Sequence, residues 1–110
     1  VTADANPDYD TDAGNDTEDK VFLLSIEEAN RYFKYDSERQ CVSTEYAKAN
    51  GAYTYEIDGA SNCFWWLRSQ GGYSNKSASV VNSDGTVSKY GNAVDDNRDC
   101  VRPAMWISLA

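Results

Sequence analysis

Trp65-Trp66-Leu67-Arg68-Ser69, answered near the C-terminus by Val101-Arg102-Pro103-Ala104-Met105-Trp106-Ile107, is the pair of segments that decides how this chain folds. Together they hold all three tryptophans of the 110 residues. From Cys63 onward the pattern has period two: Phe64, Trp66 and Arg68 alternate with Trp65, Leu67 and Ser69. That predicts a strand covered on both faces. Residues 101–107 predict a closing strand, with Pro103 at an edge or bulge because it cannot donate to a ladder. Trp65, Trp66, Leu67, Val101 and Trp106 are expected to form the frame. In the intervening residues 70–100, Asn, Tyr, Ser, Asp and Gly make up 19 of 31 positions. An aromatic frame around a polar middle suits a binding surface better than bond-making chemistry.

Upstream of this frame the sequence reads as helical. Val21-Phe22-Leu23-Leu24 predicts a short buried strand. Ser25 and Glu28 have the spacing of a capping box, and Ile26, Ala29 and Phe33 share one helical face, so a helix is expected from Ser25 to near Tyr35. A second helix is expected over 44–50, capped by Ser43 or Thr44 and ended by Gly51. Asn82-Ser83-Asp84-Gly85, between strand-like runs 78–81 and 86–88, predicts a hairpin with a type I′ turn. The sum is two short helices followed by several antiparallel strands, which is α+β.

The chain has the length of one domain. Its net charge is −8, the wrong sign for a nucleic-acid partner. Most of that charge is local: residues 1–20 hold seven acids and one base, a net of −6. Residues 1–19 therefore read as an acidic linker or arm, and 20–110 as the domain. Asp8, Asp10, Asp12 and Asp19 have calcium-loop spacing, but Ala13 occupies the turn position that needs glycine, and an Asp replaces the bidentate Glu. No segment is apolar enough to predict membrane insertion.

Histidine is absent, so neither a Ser-His-Asp nor a Cys-His pair can form. No phosphate loop follows Gly71-Gly72. Cys41, Cys63 and Cys100 lack zinc spacing; a Cys63–Cys100 bridge is permitted by the sequence and not required by it. Asp95, Asp96 and Asp99 read as a solvated acidic loop. Arg68 and Arg102, each beside tryptophan, read as stacked and tied to acids or carbonyls. Neither a metal ion nor a cofactor is expected, and no catalytic residue.

The series Phe22-Leu23-Leu24-Ser25, Thr44-Glu45-Tyr46-Ala47-Lys48, Trp65-Trp66-Leu67-Arg68-Ser69, Asp84-Gly85 and Val101-Arg102-Pro103-Ala104-Met105-Trp106-Ile107 resembles a family of bacterial domains. These are similar to C-type-lectin-fold proteins of the formylglycine-generating-enzyme type, some of them variable proteins of diversity-generating retroelements. The resemblance implies a C-type lectin-like fold with a variable loop face. The Glu-Pro-Asn and Trp-Asn-Asp calcium motifs of sugar-binding C-type lectins do not occur, no matching motif surrounds the cysteines, and Gln70 stands where proline is expected.

These features together lead to the expectation of a non-enzymatic ligand-binding or display domain with protein or glycan targets, at the exterior of a bacterial cell. The expected contacts come from loops over 70–99: Tyr73, Asn75, Lys76, Tyr90, Asn92, Asp95, Asn97, Arg98 and Asp99, joined by Asn62 and Phe64. Tyrosine offers contact area at low entropic cost, and small polar residues adapt their hydrogen bonds. The alternative is a structural or assembly module of a cell-surface protein.

Overall fold

The first helix forms where its cap requires. In a computed structural model, which describes Asn6, Pro7 and residues 20–108, the Glu28 N–H donates to Ser25 Oγ (3.1 Å) and the Ser25 N–H donates to Glu28 Oε1 (3.0 Å). Helix α1 then runs Ile26–Tyr32, ending short of Tyr35 because Phe33 is already extended. Its start is fastened to the sheet, since the Ile26 N–H donates to Ser69 Oγ (3.0 Å) and Arg68 pairs with the buried Glu28. Burial pushes the Glu28 carboxyl up, but hydrogen bonds from Arg68 and Ser25 outweigh it and hold the group below the usual range. The calcium-type spacing at Asp8, Asp10, Asp12 and Asp19 lies outside the described residues.

A helix that the apolar pattern does not announce follows: α2, Asp36–Arg39. Its last residue is a buried arginine whose Nε donates to Gly85 O (2.8 Å) and whose Nη1 donates to Phe33 O (2.7 Å). Helix α3, Glu45–Ala49, is capped by Thr44, which accepts from the Ala47 N–H (3.1 Å).

The antiparallel strands form two sheets. Strands β1 (Thr54–Ile57) and β2 (Ala60–Cys63) make a hairpin. Its turn residues Asp58 and Gly59 have φ of 50° and 83°, so the type I′ turn sits here. At the predicted position only Gly85 has positive φ. There Gly85 N–H donates to Asn82 O (2.9 Å) and Asn82 N–H to Thr86 O (2.8 Å), closing a three-residue loop rather than a type I′ turn. Gly85 is required twice over, because a Cβ would lie 1.8 Å from Asp36 O.

Strands β3 (Trp65–Gln70), β4 (Ser77–Val81) and β5 (Val87–Ala93) form the second sheet in that order. The strand-like run expected at 78–81 is thus a central strand, and β5 extends the run expected at 86–88 as far as Ala93, so the loops within 70–99 are confined to 71–76, 82–86 and 94–99. Both ladders bulge around one residue. Leu67, Arg68 and Ser69 on one side and Lys89, Tyr90 and Gly91 on the other all face Ser79. Asn6 is buried against this point and donates to Gln70 O (3.0 Å) and Lys89 O (2.8 Å).

The core gathers Leu24, Ile26, Ala29, Trp65, Leu67 and Val81. β3 alternates as expected, but its fully buried face is Trp65, Leu67 and Ser69, and Trp66 is only half-buried. Val101 and Trp106 are exposed, Trp106 to 72%. Three expectations are therefore corrected: Trp66, Val101 and Trp106 do not fill the core. The physical reason is competition for the outer edge of β3. Cys100 takes part of that edge (Trp66 N–H to Cys100 O, 3.0 Å), and Leu24 takes the next (Arg68 N–H to Leu24 O, 2.9 Å). Residues 101–107 are left with a single bridge, Phe22 to Ala104, and form no strand. For the same reason 21–24 forms no strand beyond the Phe22 bridge, with Val21 exposed and Leu24 buried.

Truncating Trp65 to alanine should cost ~3–5 kcal/mol in urea unfolding, while Trp66→Ala should cost less than half as much. Equal losses at the two positions would mean that the core is wrongly assigned.

Candidate functional site

The loop 94–99 has a shape imposed by its own polar groups. Val94 N–H donates to Lys76 O (2.8 Å) and Asp96 N–H to Ala93 O (2.9 Å). Arg98 donates its backbone N–H to Asp96 Oδ1 (3.0 Å) and closes a side-chain fork on the same carboxylate, at 3.0 and 2.9 Å. That pairing holds Asp96 below the ordinary carboxylate range. The Arg98 carbonyl then accepts from the Tyr53 N–H (2.9 Å), which brings the segment after α3 to the loop.

The result is a cavity of about 150 Å³ lined by Tyr53, Phe64, Asn92, Asp96, Arg98 and Asp99. Its apolar wall is the tilted pair Tyr53 and Phe64, ring centroids 5.6 Å apart. Its polar wall is Asn92, donating to Asp99 Oδ2 at 2.8 Å, beside the Asp96–Arg98 fork. Burial pushes the Asp99 carboxyl up, and the charge of Asp96 adds to the effect, against the Asn92 hydrogen bond and the Arg98 charge. Aromatic faces beside an amide, a carboxylate and a guanidinium can stack against an apolar face and read hydroxyl or amide groups around it.

A second surface lies alongside. Tyr73 and Tyr90, 41% and 54% exposed, tilt together with centroids 4.7 Å apart. Tyr90 rides on the β5 bulge, whose Gly91 has φ 80° and could not carry a Cβ, since that atom would lie 2.0 Å from Ala78 O. Tyr73, Lys76 and Asp95 line a further cavity of about 250 Å³ with Ser74, Ala93 and Val94. Partial burial, then Tyr90, Asp95 and Asp96, push the Tyr73 hydroxyl up.

The predicted residues thus divide. Phe64, Asn92, Arg98 and Asp99 meet in the first cavity; Tyr73, Lys76, Tyr90 and Asp95 form the second surface. Asn97 is exposed at the rim of a cavity shared with the cysteines, and Asn75 is exposed on the turn before β4. Asn62 is corrected: it is 2% exposed and donates to Ser83 O (3.0 Å), tying β2 to the 82–86 loop. Tyr53 and Asp96 belong to the site and were not predicted. Asp96 was legible as part of its acidic run; Tyr53 carries no local signal, because only a long-range backbone hydrogen bond brings it there. Among the described residues no helix is long and apolar enough to cross a membrane.

The chain belongs to the family described as a domain of unknown function (DUF6273), whose model matches residues 1–109. That match takes in residues 1–19 as well as the residues that follow. No curated protein and no solved structure matches the chain.

The raised Asp99 pKa has a defined sign. A carboxyl that binds its proton more tightly when folded costs stability once pH exceeds its unfolded value. Asp99→Asn should therefore raise Tm at pH 7. The gain over wild type should vanish well below the ordinary carboxylate range, where Asp99 is protonated in both states. A Tm difference that is independent of pH would contradict the assignment.

Proposed function

We propose that this chain is a non-enzymatic ligand-binding or display domain of C-type lectin-like architecture, with protein or glycan targets held at the face built by Tyr53, Phe64, Asn92, Arg98 and Asp99 and extended by Tyr73 and Tyr90. The observation that carries this reading is the first cavity. It sets a tilted aromatic pair against a fixed array of polar groups, in a loop whose geometry is satisfied without a ligand. Pre-set polar groups lose little order on binding, which favours affinity.

A retroelement variable protein is the sharper form of the proposal. Exposed positions such as Tyr73, Asn75, Tyr90, Asn97 and Arg98 can change identity without touching the core. Asn62 and the central strand β4 cannot, so variation should skip them. A neighbouring reverse transcriptase gene, with an imperfect repeat differing only at adenines and coding for exposed positions of 73–99, would support this form. A repeat that varies the codon of Asn62 as freely would oppose it.

The alternative, a structural or assembly module, is favoured by one feature. Phe22, Leu24, Tyr32, Phe33, Ala104, Met105 and Trp106 line an open apolar cavity of about 290 Å³ on another part of the surface.

Labelled protein applied to a glycan array and to a displayed peptide library should yield a target whose binding falls at least ~10-fold, about 1.4 kcal/mol, in Tyr53→Ala and Arg98→Ala. Tyr53→Ala should keep the wild-type Tm, Arg98→Ala should lower it only slightly because its fork is exposed, and Asn62→Ala should lower it most. Binding that survives both substitutions but fails in Trp106→Ser would instead favour the assembly role.

A further inference from the structure

Cys41 and Cys63 oppose each other where residues 41–43 pair briefly and antiparallel with the end of β2. Val42 bridges Asn62, with Ser43 N–H donating to Ser61 O (3.0 Å) and Cys63 N–H donating to Cys41 O (2.9 Å). This register sets Cys41 directly opposite Cys63. Opposed residues joined by a ladder hydrogen bond have Cα atoms roughly 5.5 Å apart, inside the separation of about 4.4–6.8 Å that a disulfide spans. Cys63 Sγ–H donates to Cys41 O (3.3 Å), which holds the Cys63 sulfur against the Cys41 residue. All three cysteines are free thiols, so the Cys63–Cys100 bridge that the sequence permitted is not formed.

The pair is asymmetric in access. Cys63 is buried, whereas Cys41 is half-exposed. Both line a cavity of about 390 Å³, together with Thr44, Asn97, Asp99 and Cys100. The pair is asymmetric in charge as well. The Cys63 S–H bond, helped by the charge of Arg102 and opposed by burial, lowers the Cys41 thiol to about 6. The Cys41 sulfur and burial push Cys63 strongly up. At neutral pH, Cys41 is therefore the thiolate and Cys63 keeps its proton. Among the described residues no group of three His, Cys, Asp or Glu side chains is arranged to hold a metal ion, so the cluster is read through sulfur chemistry.

We propose that Cys41 and Cys63 form a peroxide-reactive dithiol, Cys41 attacking the oxidant and Cys63 resolving the product to a disulfide. The oxidant is hydrogen peroxide. The Cys41 thiolate attacks one peroxide oxygen, the O–O bond breaks, and the departing hydroxide takes a solvent proton to leave as water. Cys41 is then a sulfenic acid. Cys63 Sγ attacks Cys41 Sγ and breaks its S–O bond; the Cys63 proton goes to the leaving oxygen, which departs as a second water. Two thiols have supplied the two electrons that reduce one peroxide. The new bond closes residues 41–63 into a loop containing α3 and the β1–β2 hairpin. Tyr53 lies inside that loop and Phe64 at its end, so oxidation braces the aromatic wall of the first cavity.

Reduced wild-type protein treated with one equivalent of hydrogen peroxide should lose two of its three free thiols and give a Cys41–Cys63 linked peptide on mass mapping. Cys100→Ser should form the same bridge. Cys63→Ala should stop at a Cys41 sulfenic acid that dimedone traps, and Cys41→Ser should form no disulfide. Iodoacetamide should alkylate Cys41 with a pH midpoint near 6. A Cys63–Cys100 linked peptide in oxidised wild type, or equal peroxide reactivity at all three cysteines, would overturn the proposal. Both readouts use the wild-type chain, so a variant that fails to fold does not obscure the answer.

Discussion

One buried indole holds this structure together. Trp65 is inaccessible to solvent, and its Nε1 donates to Arg39 O at 3.0 Å. Arg39 is itself buried, and its guanidinium is spent on Gly85 O, Phe33 O and Asp36. On the same tryptophan the guanidinium of Arg102 packs at 5.0 Å from the ring centroid, with Phe33 at 5.2 Å. A single side chain thus connects α2, the 82–86 loop, the residue after α1 and the C-terminal segment. Each link is conditional on the others. Arg39 can be buried only because its donors are met by carbonyls and an acid, and its own carbonyl in turn satisfies the buried Trp65 indole N–H.

The second constraint is the double bulge around Ser79. Bulging frees carbonyls that a regular ladder would use, and Gln70 O and Lys89 O are two of them. Asn6 and Ser79 Oγ donate to both, so Asn6 of the acidic leader is part of the sheet's hydrogen bonding. The bulge also shapes the candidate site. It turns β5 so that Tyr90 stands out beside Tyr73, and it leaves Asn92 back in register to meet Asp99. An unbulged strand would shift the residues beyond Tyr90 relative to β4 and separate the two surfaces.

What could be read from the sequence was what local chemistry decides. The Ser25–Glu28 box, the Thr44 cap and the alternation of 65–69 need no distant partner, and each forms as read. Which face of that alternation goes inward depends on what covers it. Ile26 and Leu24 cover the Trp65 face, and nothing in the local pattern separates Trp65 from Trp66. The Asp-Gly signal is present twice. At 58–59 the chain turns as I′ because only two residues join the strands; at 84–85 Asp36 and Arg39 press on Gly85 and a longer loop results. Asn62 looked like a polar surface residue. It is buried because its amide has partners in Ser83 and Gln40, which lie on other segments.

The same logic separates frame from face at the candidate site. Buried polar groups of the frame, such as Glu28, Arg39 and Asn62, are matched by protein partners and have nothing left to offer a ligand. Asp99 differs: it is half-buried, its pKa is pushed up, and its one hydrogen-bond donor is an amide rather than a charge. Leaving a carboxylate so partly compensated costs stability, and a fold selected for rigidity alone would replace it with asparagine. Such a group, lining a cavity with two aromatic rings, is what the proposed binding reading accounts for, since a ligand would supply the missing donors. The Asp96–Arg98 fork shapes the loop beforehand, so on that reading binding would complete the site without having to order it.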